Sequence, residues 1–505
     1  MKFNLFNTKN QVSRNYENAV AYTMSPEMEL YTAVVTTGLN DSFYESDKLR
    51  LERIKLLIAQ CDATFTAKLA VYARTEMHLR SVPMLLCVEL AKKASGNALL
   101  GKTVNKVVLR ADEITELLAC YQLFNQRTET KKLNKLSKQI QKGLAESFNR
   151  FDEYQFAKYN RKTDVKLKDA LFLVHPKAKD EGQQTIFNKI ASDSLSTPYT
   201  WETELSDLGK NKFANACEKT LAFTKKWEEM IDSKKIGYMA MIRNLRNILE
   251  ANVSGKHIEV VCAYISNETA VLKSRQLPFR FLSAYREISK LKFNYTSLVL
   301  TALEDAAMCS AKNIKGFGYD TSVVIACDVS GSMQKPVSAK SSILLYDIGL
   351  MLAMLLQSQC KNAVTGMFGD IWKIISMPKN SILANVEAYY RREGEVGYST
   401  NGHAVIEDLI RRKEVVDKVM LFTDTQMWNS DYTGLCLSKS WTNYRKIAPK
   451  AKLYVFDLAG YGQQPIDIKQ NDVYLLAGWS DKIFDILESM ENSVSALEKI
   501  LQIDL

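Results

Sequence analysis

The chain has 505 residues, 46% of them hydrophobic and 25% charged, so it is long enough for two or more domains, each with its own core. Its nine Cys residues show no paired CxxC spacing, which excludes a small disulfide framework and favours a reduced, cytoplasmic protein. No uncharged apolar run of about 20 residues occurs, so neither a signal peptide nor a membrane span is predicted.

The first three hundred residues are predicted to be almost entirely helical. Apolar positions three and four apart recur in segments joined by short polar stretches, at residues 49–60, 65–76, 83–93, 112–123 and 133–147. Consecutive short helices without a strict sequence period predict an α-solenoid of stacked, irregular HEAT-like repeats.

Positive charge is concentrated in this helical part. Residues 1–318 contain 48 Lys and Arg against 35 Asp and Glu, whereas residues 319–505 contain 19 against 22. Lysines at intervals of four, three and four residues would form one stripe on a helix, namely Lys131, Lys135, Lys138 and Lys142. A solvated helix face is the alternative explanation of such a stripe.

The segment that follows the stripe favours a binding role. It continues the basic run and interleaves it with aromatic residues, in the order Lys158, Tyr159, Arg161, Lys162, His175 and Lys177. Lys and Arg neutralise phosphates, while Tyr and His can stack on exposed bases. Nucleic acid is therefore the leading predicted partner, although His175 as a helix-terminal residue and Tyr159 as core packing are structural alternatives.

Near residues 312–319 the helical periodicity gives way to strands that alternate with helices. Apolar strands are predicted at 323–327, 364–367, 416–422 and 453–456, and helices at 341–357, 403–411 and 483–490. This alternation predicts a parallel, doubly wound α/β sheet, with 371–377 as an antiparallel edge strand. We therefore predict a helical-repeat domain over 1–318 and an α/β domain over 319–505.

Polar loops at three places in the second domain carry oxygen donors. Asp328, Ser330 and Ser332 follow the first strand, Thr400 lies in a polar loop, and Asp424 ends a later strand. Loops at the carboxyl ends of parallel strands gather at one edge of a sheet, and magnesium-type cations prefer oxygen ligands. Helix capping explains any one loop but does not predict all three in this order.

This order of donors resembles the metal-ion-dependent adhesion site of von Willebrand factor A domains. The resemblance implies a divalent cation, Mg²⁺, and predicts a doubly wound A-type fold around it. Its implied ligands are Asp328, Ser330, Ser332, Thr400 and Asp424.

The helical part resembles the TROVE module of the Ro autoantigen family. Residues 158–177 begin with Lys-Tyr and end in Leu-x-His-Pro-Lys, and further matching stretches lie at 71–83, 227–245 and 277–282. Ro proteins place an A-type domain after a TROVE module, which is the order predicted here. The resemblance covers nearly the whole chain and points to a Ro protein of the bacterial or phage type.

The Ro resemblance implies a monomeric ring of helical repeats closed by the A-type domain. A basic outer surface would hold small structured Y-like RNA, and a central cavity would admit single-stranded 3′ ends of misfolded RNA. The implied Y-RNA contacts are Lys158, Lys162 and His175, and the implied cavity contacts are Arg243, Arg275 and Arg280. Lys162 replaces an Arg of the family, which keeps the charge and loses the planar fork.

Arg243 has an alternative explanation, because Arg243 and Arg246 lie three residues apart and could pair with acidic neighbours such as Glu250. A protein partner such as an exoribonuclease would be recruited through the metal site or through the RNA. Two other classes stay open on the residues alone: a protein-interaction module with a helical docking region, and a magnesium-dependent nuclease.

No catalytic constellation is found in the sequence. The four histidines form no HExxH helix, no Walker loop is present, and the Cys residues lack a His-supported nucleophile signature. We therefore predict a non-enzymatic, cytoplasmic RNA-binding protein that acts as a ribonucleoprotein scaffold in noncoding-RNA quality control.

Overall fold

The structure is a computed structural model that describes residues 12–37, 45–94, 96–125, 136–160, 163–276, 278–312, 320–337, 341–428, 436–467, 472–479, 483–484, 487 and 496–505. Its residues pack as two compact units. The α/β unit comprises Met1–Leu57, Leu277–Tyr285 and Glu304–Lys499, and the helical unit comprises Ile58–Gln276, Arg286–Leu303 and Ile500–Leu505. The sequence boundary at 318/319 stays a prediction.

Short helices follow one another through the first 311 residues, which confirms the predicted helical repeats. They are α1 Pro26–Val35, α2 Asp47–Gln60, α3 Ala63–Thr75, α4 Ser81–Lys93, α5 Ala98–Val107, α6 Ala111–Phe124, α7 Lys138–Phe148, α8 Glu153–Tyr159, α9 Leu167–Val174, α10 Glu181–Ala191, α11 Trp201–Gly209, α12 Ala216–Asp232, α13 Tyr238–Glu250, α14 Gly255–Ile265, α15 Glu268–Ser274, α16 Phe279–Ser289 and α17 Thr296–Ala311. Polar caps fix several starts, as where Asp62 accepts from the N–H groups of Thr64 and Phe65.

Two arginines of the predicted TROVE motifs hold helices of the helical unit together. Arg74 Nη2 lies 2.8 Å from Glu113 Oε1, and Arg80 Nε lies 3.1 Å from the same oxygen. Glu113 is buried, and its second oxygen accepts from the N–H groups of Leu109 and Arg110. These ion pairs join α3 and the start of α4 to α6. Removal of either partner of a pair would leave a buried charge uncompensated.

Helix α7 turns its small-residue face toward α5. A Cβ at Gly143 would lie only 2.5 Å from Gly101 O and 2.7 Å from Val104 Cβ, so the two helices approach closely here. The other buried side chains of α7 are Ile140, Leu144, Ser147 and Phe148. Lys138 and Lys142 lie on the exposed face of the same helix.

The strands form two sheets, both within the α/β unit. They are β1 Val12–Arg14, β2 Val20–Thr23, β3 Ser322–Asp328, β4 Asn362–Phe368, β5 Trp372–Ile374, β6 Lys418–Thr423, β7 Lys452–Asp457, β8 Gln463–Gln464 and β9 Val473–Ala477. The larger sheet has the order β5-β4-β3-β6-β7-β9, in which β4, β3, β6, β7 and β9 are parallel and β5 is antiparallel. The predicted sheet and its antiparallel edge strand are therefore confirmed.

Helices cover this sheet. The later helices are α18 Leu345–Gln359, α19 Leu383–Tyr390, α20 His403–Arg412, α21 Leu437–Ile447 and α22 Ala496–Leu501. Every residue of β6 is buried, as expected for a central parallel strand covered on both faces. The predicted helix at 483–490 lies largely outside the described residues.

The smaller sheet was not predicted from the sequence. Strands β1 and β2 form an antiparallel hairpin, and β2 pairs with β8, which lies about 440 residues later in the chain. Strands of two to four residues carry too little periodicity to be recognised locally. No helix within the described ranges is long and apolar enough to cross a membrane.

Candidate functional site

Two polar loops follow the neighbouring strands β3 and β6 at the same edge of the sheet. Asp328 is the last residue of β3, and Asp424 follows β6 directly. The Thr423 hydroxyl donates to Asp328 Oδ2 at 2.6 Å, so the two strand ends are joined by a side-chain hydrogen bond.

A third loop, residues 397–402, is bonded to both of these loops. Gly331 N donates to Tyr398 O at 3.1 Å, and Trp428 N donates to Thr400 O at 3.0 Å. The structure therefore brings together the five residues that the sequence analysis selected as ligands, Asp328, Ser330, Ser332, Thr400 and Asp424.

The conformation of this third loop depends on glycine and on one carboxylate. Gly397 has φ 74°, a left-handed backbone, and its carbonyl oxygen would lie 2.2 Å from a Cβ at Gly369. Asp370 Oδ1 accepts from Ser399 N at 2.9 Å, and hydrogen bonds from Ser399 lower the pKa of Asp370. An ionised Asp370 thus anchors the loop that carries Thr400.

Hydrogen bonds join four of these residues, Asp328, Ser330, Ser332 and Asp424, into one buried polar cluster, and Thr400 is buried in the adjoining loop. Ser330 N donates to Asp328 Oδ1 at 2.9 Å, and the hydroxyl oxygens of Ser330 and Ser332 lie 3.2 Å apart. The Ser332 hydroxyl is hydrogen-bonded to Asp424, and Asp424 Oδ1 accepts from Gln426 N at 3.1 Å. Asp424 Oδ2 is buried and has no hydrogen-bond partner among the described residues.

Burial of two neighbouring carboxyls makes this cluster electrostatically costly without a cation. Burial raises the pKa of Asp328, and the charge of Asp424 raises it further. Burial likewise raises the pKa of Asp424, against the opposing hydrogen bond from Ser332. Across the described ranges no three His, Cys, Asp or Glu side chains come together, so the candidate donors are two carboxylates and three hydroxyls. Such hard oxygen donors fit a divalent cation of the Mg²⁺ type.

A third buried carboxylate at this edge was missed by the sequence analysis. Asp457 ends β7, pairs in register with Thr423, and is fully buried. Its Oδ1 accepts from the N–H groups of Ala459 and Gly460, and burial raises the pKa of Asp457 to about 6. The signal was present, since an apolar run ending in Asp is the same pattern that identified Asp424.

The helical unit carries a separate basic surface on α7 and on the end of α9. Gln141 Nε2 donates to Leu173 O at 3.1 Å, and Asn149 Nδ2 donates to Lys177 O at 2.8 Å, so α7 is tied to the end of α9 and to the loop after it. We call the exposed residues of these segments the α7–α9 basic surface; they are Lys138, Lys142, His175 and Lys177.

Backbone geometry fixes the position of His175 in this surface. His175 ends α9 with φ 50° and ψ 58°, the left-handed conformation of a helix C-cap, and its N–H donates to Leu171 O. Lys158 lies exposed at the end of α8, with its ammonium 5.7 Å from the ring centroids of Tyr154 and Tyr159. Both predicted contact residues are therefore available to a ligand of the helical unit.

The structure describes the remaining predicted contacts unevenly. Lys131, Lys135, Arg161 and Lys162 lie outside the described residues. Arg243 and Arg275 are exposed in the helical unit, and Arg246 rather than Arg243 pairs with Glu250, at 2.7 Å. Arg280 belongs by packing to the α/β unit, and its guanidinium lies 5.1 Å from the Phe279 ring centroid.

An exposed aromatic residue beside the basic surface was also missed. Phe172 is 53% exposed and lies one turn before His175 on α9. The buried face of α9 consists of Leu167, Ala170, Leu171 and Val174. Helical periodicity of these four apolar positions places Phe172 on the opposite face, so the sequence did contain the signal.

Together these features define a class: a helical-repeat unit with a basic surface, and an α/β unit that has a buried cluster of oxygen donors at its strand ends. The family model of the TROVE domain matches residues 27–212 and 191–313, which is more than half of the chain. The chain therefore belongs to the TROVE family of RNA-binding proteins.

Two further comparisons agree with this assignment. The chain shares its fold with the Ro (RSR) protein of Deinococcus radiodurans, with a TM-score of 0.59 and 16% identity over 92% of this chain and 100% of that one. It is 42% identical to telomerase protein component 1 of Mus musculus and 40% identical to that of Rattus norvegicus, over 98 residues in each case. The matched stretch is 19% of this chain and only 3% of either telomerase protein.

Proposed function

We propose that the chain is a non-enzymatic, cytoplasmic RNA-binding protein of the Ro type. It holds a structured, Y-like RNA on the α7–α9 basic surface and Lys158, and it binds single-stranded 3′ ends of misfolded RNA through Arg243 and Arg275 of the helical unit. In this role it is a scaffold for noncoding-RNA quality control. The observation that carries the proposal is the exposed basic surface within the TROVE-matched part of the chain.

The side chains of the α7–α9 basic surface are suited to binding RNA rather than to reading the base pairs of duplex DNA. Lys138, Lys142 and Lys177 offer flexible charges for phosphates, and His175 and Phe172 offer rings on which an unpaired base can stack. Structured RNA is recognised mainly through its shape and backbone, because side chains cannot read its deep major groove. Phosphate contacts would therefore supply most of the affinity for RNA, and recognition of the RNA's shape would supply most of the selectivity.

We further propose that the α/β unit is a von Willebrand factor A domain that holds Mg²⁺. Asp328, Ser330, Ser332, Thr400 and Asp424 would bind the cation, which would supply a coordination position for a carboxylate from outside. The unpartnered, buried Asp424 Oδ2 supports this assignment. The exposed Tyr398 and Trp428 flank Thr400 and would pack against a protein partner, such as an exoribonuclease.

Binding of a stem RNA with a single-stranded 3′ tail should weaken steeply with salt. About five phosphate contacts would lower the affinity several hundredfold between roughly 50 and 200 mM monovalent salt, because each contact releases condensed counterions. Filter binding over a salt series measures the slope directly. A nearly flat dependence would show that the basic surface does not contact phosphates.

A further inference from the structure

A cleft in the helical unit has the size and the lining of a ligand pocket. It lies between the end of α13, the start of α14 and the loop before α17, and its volume is about 400 Å³. Proteins bind small ligands in clefts of roughly 300–1,000 Å³ that are mainly apolar and carry a few polar groups. The floor consists of aliphatic side chains that are each no more than 4% exposed, namely Ile248, Leu249, Val253 and Ile258. No residue of the α7–α9 basic surface lines this cleft, so it is a separate site.

One wall of the cleft is aromatic. Phe293 and Tyr295 line it from the loop before α17, and Tyr295 is 39% exposed. Gly255 at the start of α14 lies against the tyrosine, since a Cβ there would be only 2.5 Å from Tyr295 Oη. Two hydrogen bonds hold the loop, from Phe293 N to Thr296 Oγ1 and from Thr296 N to Phe293 O, each at 3.1 Å. The backbone that carries both rings is therefore ordered before any ligand binds.

The rim of the cleft offers polar side chains to a ligand. Asn252, Lys292 and Asn294 line the cleft and are exposed. Within the part of the chain that the structure describes, their side chains and Tyr295 Oη form no hydrogen bond or ion pair. An asparagine amide has both a donor and an acceptor, and a lysine ammonium is a point charge suited to a phosphate. Lys292 is the only charged residue among the described residues that line the cleft, so the cleft favours a ligand with a negative group.

We infer that this cleft binds one unpaired nucleotide of an RNA strand, with the base against Tyr295 and the phosphate on Lys292. The inference rests on the proposed RNA-binding function and adds a site to it. Unpaired bases stack on aromatic side chains and form hydrogen bonds through their edges, which Asn252 and Asn294 can supply. Every base has a flat face, so the cleft should accept any sequence. An apolar side chain of a protein partner would fill the floor and leave Lys292 without a counter-charge.

Photocrosslinking to the full-length chain locates the bound base. The probe is a single-stranded oligouridine of about twelve nucleotides in which 5-iodouridine replaces uridine. Irradiation should attach the probe to the segment that contains Phe293 and Tyr295, as mapped by mass spectrometry of the digested complex. Binding of the probe without any crosslink to residues 292–295 would overturn the inference and leave RNA binding by the chain intact.

Filter binding of unsubstituted oligouridine measures what the cleft contributes to the affinity. Tyr295→Ala should bind about tenfold more weakly, and Tyr295→Phe should stay within about twofold of the unmodified chain because the ring is kept. Leu298→Ala truncates an exposed side chain of α17 outside the cleft and should bind like the unmodified chain.

The salt dependence of the same binding tests the phosphate contact. Lys292→Gln should lower the slope of log affinity against log salt by about 0.7, the effect of one contact with a single strand. Lys290→Gln removes the same charge from a residue that pairs with Glu287 at 3.0 Å and does not line the cleft. This control should leave the slope unchanged.

An abasic strand of the same length shows whether the base is the group that reaches Tyr295. It should bind the unmodified chain and Tyr295→Ala equally, and thermal melting without RNA checks that each variant folds. Should Tyr295→Ala fail to fold, the crosslink to the unmodified chain decides. Equal oligouridine affinities for a folded Tyr295→Ala and the unmodified chain would overturn the site in the cleft alone. A chain that binds neither oligouridine nor a stem RNA with a 3′ tail would overturn the site and the proposed RNA-binding function together.

Discussion

Substitution of Lys158, Lys162 and His175 together is expected to lower the affinity for a Y-like stem RNA about a hundredfold and to leave binding of a simple single-stranded tail within about twofold. Each residue is expected to contribute about 1 kcal/mol through a charge-assisted contact with the RNA backbone. His175 should be replaced by Asn, which tolerates the left-handed backbone observed there, and the two lysines by Ala.

Competitive mobility-shift titrations with the two RNAs measure both affinities in one series. The matched control removes two lysines and one histidine elsewhere on the helical unit, in the variant K219A/K225A/H257N. This control should bind the stem within about threefold of the unmodified chain, because long-range charge is screened at moderate salt. If the triple variant lost affinity for the stem RNA and for the single-stranded tail equally, the stem contact would lie elsewhere on the protein.

Asp328→Asn is expected to abolish the rise in melting temperature that Mg²⁺ gives the unmodified chain. A ligand that binds only the folded state raises the free energy of unfolding by about 2.7 kcal/mol when its concentration is one hundred times its dissociation constant. Asn keeps the size of the side chain and an acceptor for Ser330 N or Thr423, so the fold should persist while the charge for the cation is lost. Thermal melts with and without Mg²⁺ measure the difference.

The control for this variant is Asp417→Asn, which removes an exposed carboxylate at the opposite end of β6. It should keep the full Mg²⁺ response, and both variants should bind RNA like the unmodified chain. Melting of the unmodified chain that does not depend on Mg²⁺ would remove the metal from the proposed function.

The strand ends of the α/β unit were predictable because each signal is local. An apolar run that stops at a carboxylate marks the end of a buried strand, and parallel strands bring such ends to one edge. That reasoning placed Asp328 and Asp424 together, and it would have placed Asp457 there as well. The antiparallel strand β5 was predictable for a similar reason, since Gly369 and Asp370 mark a turn before it.

Other parts of the site depend on pairing over long distances in sequence. The β1–β2 hairpin has no local sequence pattern that marks it as a neighbour of the loop after Asp424, because its position follows from the pairing of β2 with β8 and from the hydrogen bonds of Asn15 and Tyr16 to residues 426–427. The pairing of strands that lie hundreds of residues apart leaves no periodic pattern in the local sequence. The spacing of Lys138 and Lys142 did predict a shared helix face, but the contact that buries the opposite face, between Gly143 of α7 and Gly101 of α5, could not be predicted from the local sequence.

The RNA that accompanies the protein tests the central claim most directly. The chain should be purified from its native host at low salt without added nuclease, its absorbance at 260 and 280 nm compared before and after RNase, and the recovered RNA sequenced. Ro-type function predicts an RNase-sensitive excess at 260 nm and enrichment of small structured RNAs, some with single-stranded 3′ tails. A spectrum of protein alone, with no RNA recovered, would contradict it.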